Sequence, residues 1–210
     1  TRTISSAASD VYKRQHQNTT AQEILSDFSD VGLDYWVSGY GTGGTVSGVG
    51  RVLREKSPGT KIILTEPENA ALIGSELKQD RHSDNTPATS HSSWNPHLIQ
   101  GWTPDFIPFV LQEAIDNNYF DKLLPVSGDQ GITWAKRLAR AEGIITGISG
   151  GSTFAIAMEV AKDAPPDSNI LCMLPDTGER YLSSPLFEEI PEEMTDDEKK
   201  ISLSTPNYQL

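Results

Sequence analysis

The residues of this sequence with the clearest chemical potential are Gly41-Thr42-Gly43-Gly44-Thr45. Three glycines remove the Cβ atoms that keep an anion away from the backbone. Successive N–H groups can then point inward, and a helix starting there adds the positive end of its dipole. Thr42 and Thr45 bring hydroxyl donors. Such a loop suits a phosphate monoester. Two other readings stay open, a tight strand-to-helix turn without a ligand and a dinucleotide-binding turn. The spacing of Gly39, Gly41, Gly43 and Gly44 does not give G-x-G-x-x-G, and no Lys-Ser/Thr pair follows as in a P-loop.

Other chemistry-bearing residues are sparse. Ser149 lies in a glycine-flanked stretch and reads either as a turn serine or as a ligand. Cys172, the one cysteine, sits in an apolar run and reads as a small core residue. With one cysteine no disulfide can form within the chain, which suits a reducing compartment. His16, His82, His91 and His97 have no i,i+4 or C-x-x-C companion, so no zinc site is expected.

The elements that must position these residues alternate between strand and helix. Asp34–Ser38 reads as a strand running into the glycine loop, and Val46–Lys56 as a helix stopped by Ser57-Pro58-Gly59. Lys61–Thr65 and Lys122–Val126 read as strands. A helix then passes through Ile132, Ala135, Leu138 and Ala139 and ends at Gly143. Ile144–Ile148 reads as extended, Ser152–Lys162 as a helix and Asn169–Leu174 as a continuous apolar strand. This order predicts an α/β fold with a mostly parallel sheet flanked by helices. Lys78–Asn95 is polar and reads as a long surface loop. Residues 188–210 read as an acidic tail, in part disordered or wrapped on the surface.

The formal net charge of −12 argues against nucleic acid as a partner, because a phosphate backbone needs a basic face. No apolar run approaches the ~20 residues of a membrane span, and no hydrophobic signal region opens the sequence. Residues 1–15 fit no pattern that follows. The stretch SSAASDVYKRQ is similar to translated sequencing-adaptor text, so this segment is expected to be non-native. The expected domain is residues 16–187.

Six segments in series carry a resemblance. They are His16–Ile24 (HQNTTAQEI), Val37–Gly50 (VSGYGTGGTVSGVG), Pro67–Ser75, His97–Pro108 (HLIQGWTPDFIP), Glu142–Ser152 (EGIITGISGGS) and Leu174–Phe187 (LPDTGERYLSSPLF). In this order they resemble the cysteine synthase and cystathionine β-synthase family of pyridoxal 5'-phosphate (PLP) enzymes. That family has the tryptophan-synthase-β-like fold, fold type II. The resemblance implies that Gly41, Thr42, Gly43, Gly44 and Thr45 hold the PLP phosphate. It also implies that Ser149 hydrogen-bonds the pyridine nitrogen, and that Gln100 and Gly101 lie on the substrate side. A neutral hydroxyl at the ring nitrogen does not enforce a pyridinium, which makes the ring a weaker electron sink. The implied activity is synthesis of L-cysteine from O-acetylserine and sulfide by β-elimination and replacement. Cystathionine β-synthase activity and a non-catalytic PLP- or peptide-binding module are the alternatives.

Two departures matter. After Gly101 this sequence has Trp102-Thr103-Pro104-Asp105 in place of the family's I-G-A-G, which leaves substrate preference open. The family's Schiff-base lysine, in an N-P-x-x-S-x-K-x-R motif, and its T-S-G-N-T-G loop find no counterpart here. The expectation is therefore a chain without its N-terminal half and without catalysis of its own. The resemblance also implies a homodimer and docking of a serine acetyltransferase C-terminus. Compartment, cytoplasmic or organellar, is left undetermined.

Overall fold

The computed structural model describes residues 11–204. Four strands, β1 (Tyr35–Gly39), β2 (Lys61–Pro67), β3 (Lys122–Val126) and β4 (Ile170–Cys172), form one sheet in the order β3-β2-β1-β4. All pairings are parallel. Tyr35 registers with Lys61 and with Ile170 on the two sides of β1, and Ile63 with Lys122 across β2 and β3. Helices connect and cover the strands: α1 (Thr20–Asp27), α2 (Gly44–Lys56), α3 (Phe109–Asp116), α4 (Gly128–Glu142), α5 (Ile148–Asp163) and the late α6 (Asp196–Leu203). Residues 11–18 are also helical and lead into α1.

The two-residue period of the strands sorts their side chains onto two faces. Val37 and Ile63 join Ala135 of α4 and Ile148, Ala155 and Ile156 of α5. Trp36 and Ile62 face the other way, against Ala21, Ile24, Val49 and Leu53 of α1 and α2. Leu64 extends that second face toward Val46 and Leu111. Each fully buried aliphatic side chain contributes roughly 1.5–3 kcal/mol, so the sheet is held chiefly through its two central strands.

Local signals set several ends. A capping box of Ser127 and Gln130 starts α4, and Gly143 at φ 70° ends it. Helix α2 carries Arg54 and Lys56 in its last turn, where cations complement the dipole.

Three elements differ from the sequence reading. Helix α5 starts at Ile148 rather than Ser152, and residues 144–147 are extended with an antiparallel bridge between Thr146 and Thr177. The glycines there read as loop by propensity. Packing overrides that, because Gly151 lies against the backbone of Gly131 and against Ala135 in α4, too close to admit a Cβ. The last strand is shorter, Ile170–Cys172 rather than Asn169–Leu174, and half-buried at an edge. After it the Met173 N–H still donates to the Val37 carbonyl, and the chain then turns away. The tail contains a helix, α6, started by a capping box of Thr195 and Glu198 and without buried residues. That T-x-x-E pattern was its available signal. The loop Lys78–Asn95 forms no named element, as expected, and is tied down where Arg81 Nη2 donates to the Ile107 carbonyl at 2.7 Å. Of the segment expected to be non-native, residues 1–10 lie outside the described residues. Within the rest, Lys13 pairs with Glu113 at 2.7 Å.

Candidate cofactor site

A cleft of about 320 Å³ opens at the carboxyl end of β1. One wall is the loop from Gly39 to Val46, another is Gln100–Trp102, and a third is Ser149 and Thr153 of α5 with Pro175 and Asp176. All eight residues singled out from the sequence line it: Gly41, Thr42, Gly43, Gly44, Thr45, Gln100, Gly101 and Ser149. Open α/β sheets place ligands here, outside the carboxyl ends of their strands.

The glycine loop is shaped for close approach. Gly43, at the N-cap of α2, has φ 87°, and a Cβ on it would stand 2.7 Å from Leu111 Cα. A Cβ on Gly41 would overlap the Gly101 carbonyl oxygen. Helix α2 has no side-chain cap and no acid in its first turn. Its first N–H groups have no intrahelical acceptor and keep their positive end for an anion in the cleft. The loop is anchored from behind. Tyr40 Oη donates to Glu66 Oε2 at 2.5 Å, and Glu66 also accepts from the N–H groups of Ile73 and Gly74 at 3.1 and 2.8 Å. Burial pushes the Glu66 carboxyl above its ordinary pKa, and burial first, then Glu66, pushes Tyr40 up as well. Ser47 Oγ donates to the Val110 carbonyl at 2.6 Å, which fixes α2 on α3.

His16 reaches the loop from the helical residues 11–18. Its Nε2 lies 3.1 Å from Thr45 Oγ1 and its Nδ1 2.9 Å from Thr20 Oγ1. Burial lowers its pKa, which favours the neutral ring. On the far wall, Ser149 sits in the first turn of α5, 2 % exposed. Its Oγ donates to Asp176 Oδ1 at 3.3 Å, and Tyr181 Oη donates to Asp176 Oδ2 at 2.5 Å. Burial, then Asp176, pushes the Tyr181 hydroxyl up to about 12. Trp102, whose role the sequence left open, packs its ring on Gly39 and still edges the cleft.

Sequence reasoning missed Tyr12, His16, Ser38, Tyr40, Thr153 and Asp176 as lining residues. Asp176 and His16 fall in motif segments, but no spacing rule connects them to Ser149 or Thr45. No lysine lines the cleft among the described residues.

A parallel sheet whose glycine loop opens a helix start into a cleft, with a second helix start across it, has the form of a site for a phosphorylated small molecule. The chain belongs to the family described as pyridoxal-phosphate dependent enzyme, whose sequence model matches residues 3–176. It is 41 % identical over 190 residues to an O-ureido-L-serine synthase of Streptomyces lavendulae, covering 90 % of this chain and 52 % of the relative. It is 35 % identical over 172 residues to a cysteine synthase of Staphylococcus aureus, covering 82 % and 49 %. The solved O-ureido-L-serine synthase structure superposes with a TM-score of 0.75 at 39 % identity, over 92 % of this chain and 54 % of that one. The O-acetylserine dependent cystathionine β-synthase of Helicobacter pylori gives 0.68 at 30 %, over 84 % and 50 %. The chain spans about half the length of the curated relatives it matches. Pyridoxal phosphate is the family's cofactor, and the open N-terminus of α2 with its Cβ-free loop fits the phosphate of that group.

Proposed function

We propose that this chain supplies the phosphate- and ring-binding part of a PLP-dependent cysteine synthase. The enzyme replaces the acetoxy group of O-acetyl-L-serine by sulfide. The observation that carries the reading is the convergence of two helix starts, α2 at Gly44 and α5 at Ile148, on one cleft. Gly41 to Thr45 hold the phosphate, Ser149 meets the ring nitrogen, and Gln100 and Gly101 border the substrate. The cofactor, when bound, supplies the electron sink for β-elimination. Trp102, packed over Gly39, excludes water from that side of the cleft. Homodimerisation and docking of a serine acetyltransferase C-terminus belong to the same reading.

A second reading concerns the nucleophile. Cysteine and O-ureido-L-serine are both serine skeletons with a different heteroatom group on Cβ. The Trp102-Thr103-Pro104-Asp105 sequence replaces the common family loop where Gln100 to Trp102 edge the cleft. A different set of side chains at the cleft edge would admit a different nucleophile. The test gives the full reading frame O-acetyl-L-serine with sulfide, homocysteine or hydroxyurea and identifies products by mass spectrometry. Cysteine as the main product supports the first reading. Cystathionine or O-ureido-L-serine reassigns the nucleophile. No product with any of them overturns the enzyme reading in favour of a binding module.

A further inference from the structure

His16 lines the cleft from the helical residues 11–18, apart from both helix starts. Helix α2 makes room for that segment one turn past the glycine loop. A Cβ on Gly48 would stand 2.6 Å from the Lys13 carbonyl oxygen and 2.8 Å from His16 Cβ, so a side chain there would push the two helices apart. The 2.7 Å ion pair of Lys13 with Glu113 ties the same segment to α3. The imidazole is thereby held against Thr45, in the first turn of α2. Its Nε2 lies 3.1 Å from Thr45 Oγ1 and its Nδ1 2.9 Å from Thr20 Oγ1.

Burial lowers the His16 pKa and is the one cause of the shift, so the ring is neutral near pH 7. A neutral imidazole has one N–H and one lone pair, so one of the two hydroxyls donates to the ring and the other accepts from it. Thr20 Oγ1 meets no protein acceptor besides Nδ1 among the described residues. When it donates there, the ring hydrogen sits on Nε2 and goes to Thr45. Thr45 Oγ1 then keeps its own proton for a further acceptor, beside the uncapped start of α2. In the other tautomer the ring takes the Thr45 proton, and a lone pair turned to the cleft would repel an anion.

We propose that His16 is a positioning residue of the phosphate site: as the Nε2–H tautomer it accepts from Thr20, donates to Thr45 and leaves the Thr45 proton for the phosphate. This rests on the reading of the glycine loop as a phosphate site. His16 acts through Thr45 and not on the ligand. Its ring adds no charge of its own, so it sets the direction of one donor while the backbone N–H groups of α2 supply the rest.

The first measurement needs no substitution. In the chain with ¹⁵N-labelled histidine, saturated with inorganic phosphate at pH 7.5, the His16 Nε2 resonance should lie in the N–H range and Nδ1 in the lone-pair range. The opposite tautomer overturns the inference. The second measurement is a titration with inorganic phosphate and with PLP. His16→Leu should weaken both by about tenfold, as loss of a donor to a charged group does. His16→Gln, whose amide can donate to Thr45, should recover most of that loss. In a Thr45→Val background His16→Leu should cost nothing further, because the hydroxyl it acts through is gone. Losses that add in the double variant, or no recovery with Gln, show a packing role and overturn the inference. Phosphate binding with the expected tautomer but no PLP binding supports the inference and overturns the cofactor reading. A chain that binds neither ligand overturns both.

Discussion

Helices α2 and α5 both begin at the cleft, yet α2 opens with no acid near its first N–H groups and α5 opens against Asp176. The two starts have the same dipole and the same need for acceptors. At α2 the need is unmet by any side-chain cap, and a left-handed glycine lets the backbone curl around the gap. At α5 the protein fills the place with its own carboxylate, ringed by Ser149, Tyr181 and the Thr146 hydroxyl on its backbone. One start is open to an anion. The other is closed by the Asp176 side chain, which Ser149 meets. A ligand with a phosphate at one end and a polar ring atom at the other matches that arrangement.

The largest expected effect breaks the open start. Gly43→Ala forces a non-glycine residue to φ 87° against the Leu111 backbone. The left-handed conformation costs roughly 1–2 kcal/mol, and relieving the clash moves the loop. PLP affinity by fluorescence titration should fall at least about tenfold, equal to ~1.4 kcal/mol. Gly143→Ala is the control, with φ 70° and open space for the Cβ. It should lose stability by a similar strain and leave affinity unchanged.

Breaking the closed start should have a smaller effect. Gly147→Ala pushes Asp176 and Tyr181 off α5 and should destabilise by about 1–3 kcal/mol, as overpacking does. Urea denaturation reads this. Binding of inorganic phosphate at α2 should stay as it was, and its loss would mean that the two starts are not independent.

A third test concerns the support behind α2. Glu66→Gln puts an amide where Tyr40, Ile73 and Gly74 all donate, at a cost of about 1–3 kcal/mol. Burial raises the pKa of Glu66 in the folded state above the ordinary 4.5. Its proton is thus held more tightly folded than unfolded. The contribution is full below the unfolded pKa and lost as pH rises through the folded one. The stability gap between wild type and Glu66→Gln should therefore narrow as pH rises from 4.5. A gap that widens with pH contradicts the buried, proton-favouring environment.

The smallest effect is expected far from the cleft. Thr195→Ala removes the capping box of α6, worth ~1 kcal/mol to that helix. Circular dichroism should register a small helix loss, with melting temperature and PLP affinity unchanged.

The contrast between the two starts also marks how far the sequence could be read. Strands β1 to β3 and helices α2 and α4 announced themselves through apolar period, Pro-Gly stops and the Gly143 end, all of which act within a few residues. The glycine loop was legible for the same reason. The start of α5 was not. Its glycines are poor helix formers in isolation, and contact with Gly131 and Ala135 of another helix makes it fold. Asp176 was hidden too, because its meaning arises where the turn after β4 returns to Ser149. Such contacts join parts of the chain far apart in sequence, and no local pattern encodes them. The capping box of α6, by contrast, is a local T-x-x-E pattern at Thr195 and Glu198, set within a charged run.

The central claim, that one ligand bridges the two helix starts, is tested most directly by following backbone amide resonances of the chain during titration. PLP should shift the amides of Gly41 to Thr45 and those of Ser149 and Gly150 together, with one affinity. Inorganic phosphate should shift the first group alone. PLP shifts confined to one group, or centred elsewhere on the molecule, would contradict the account.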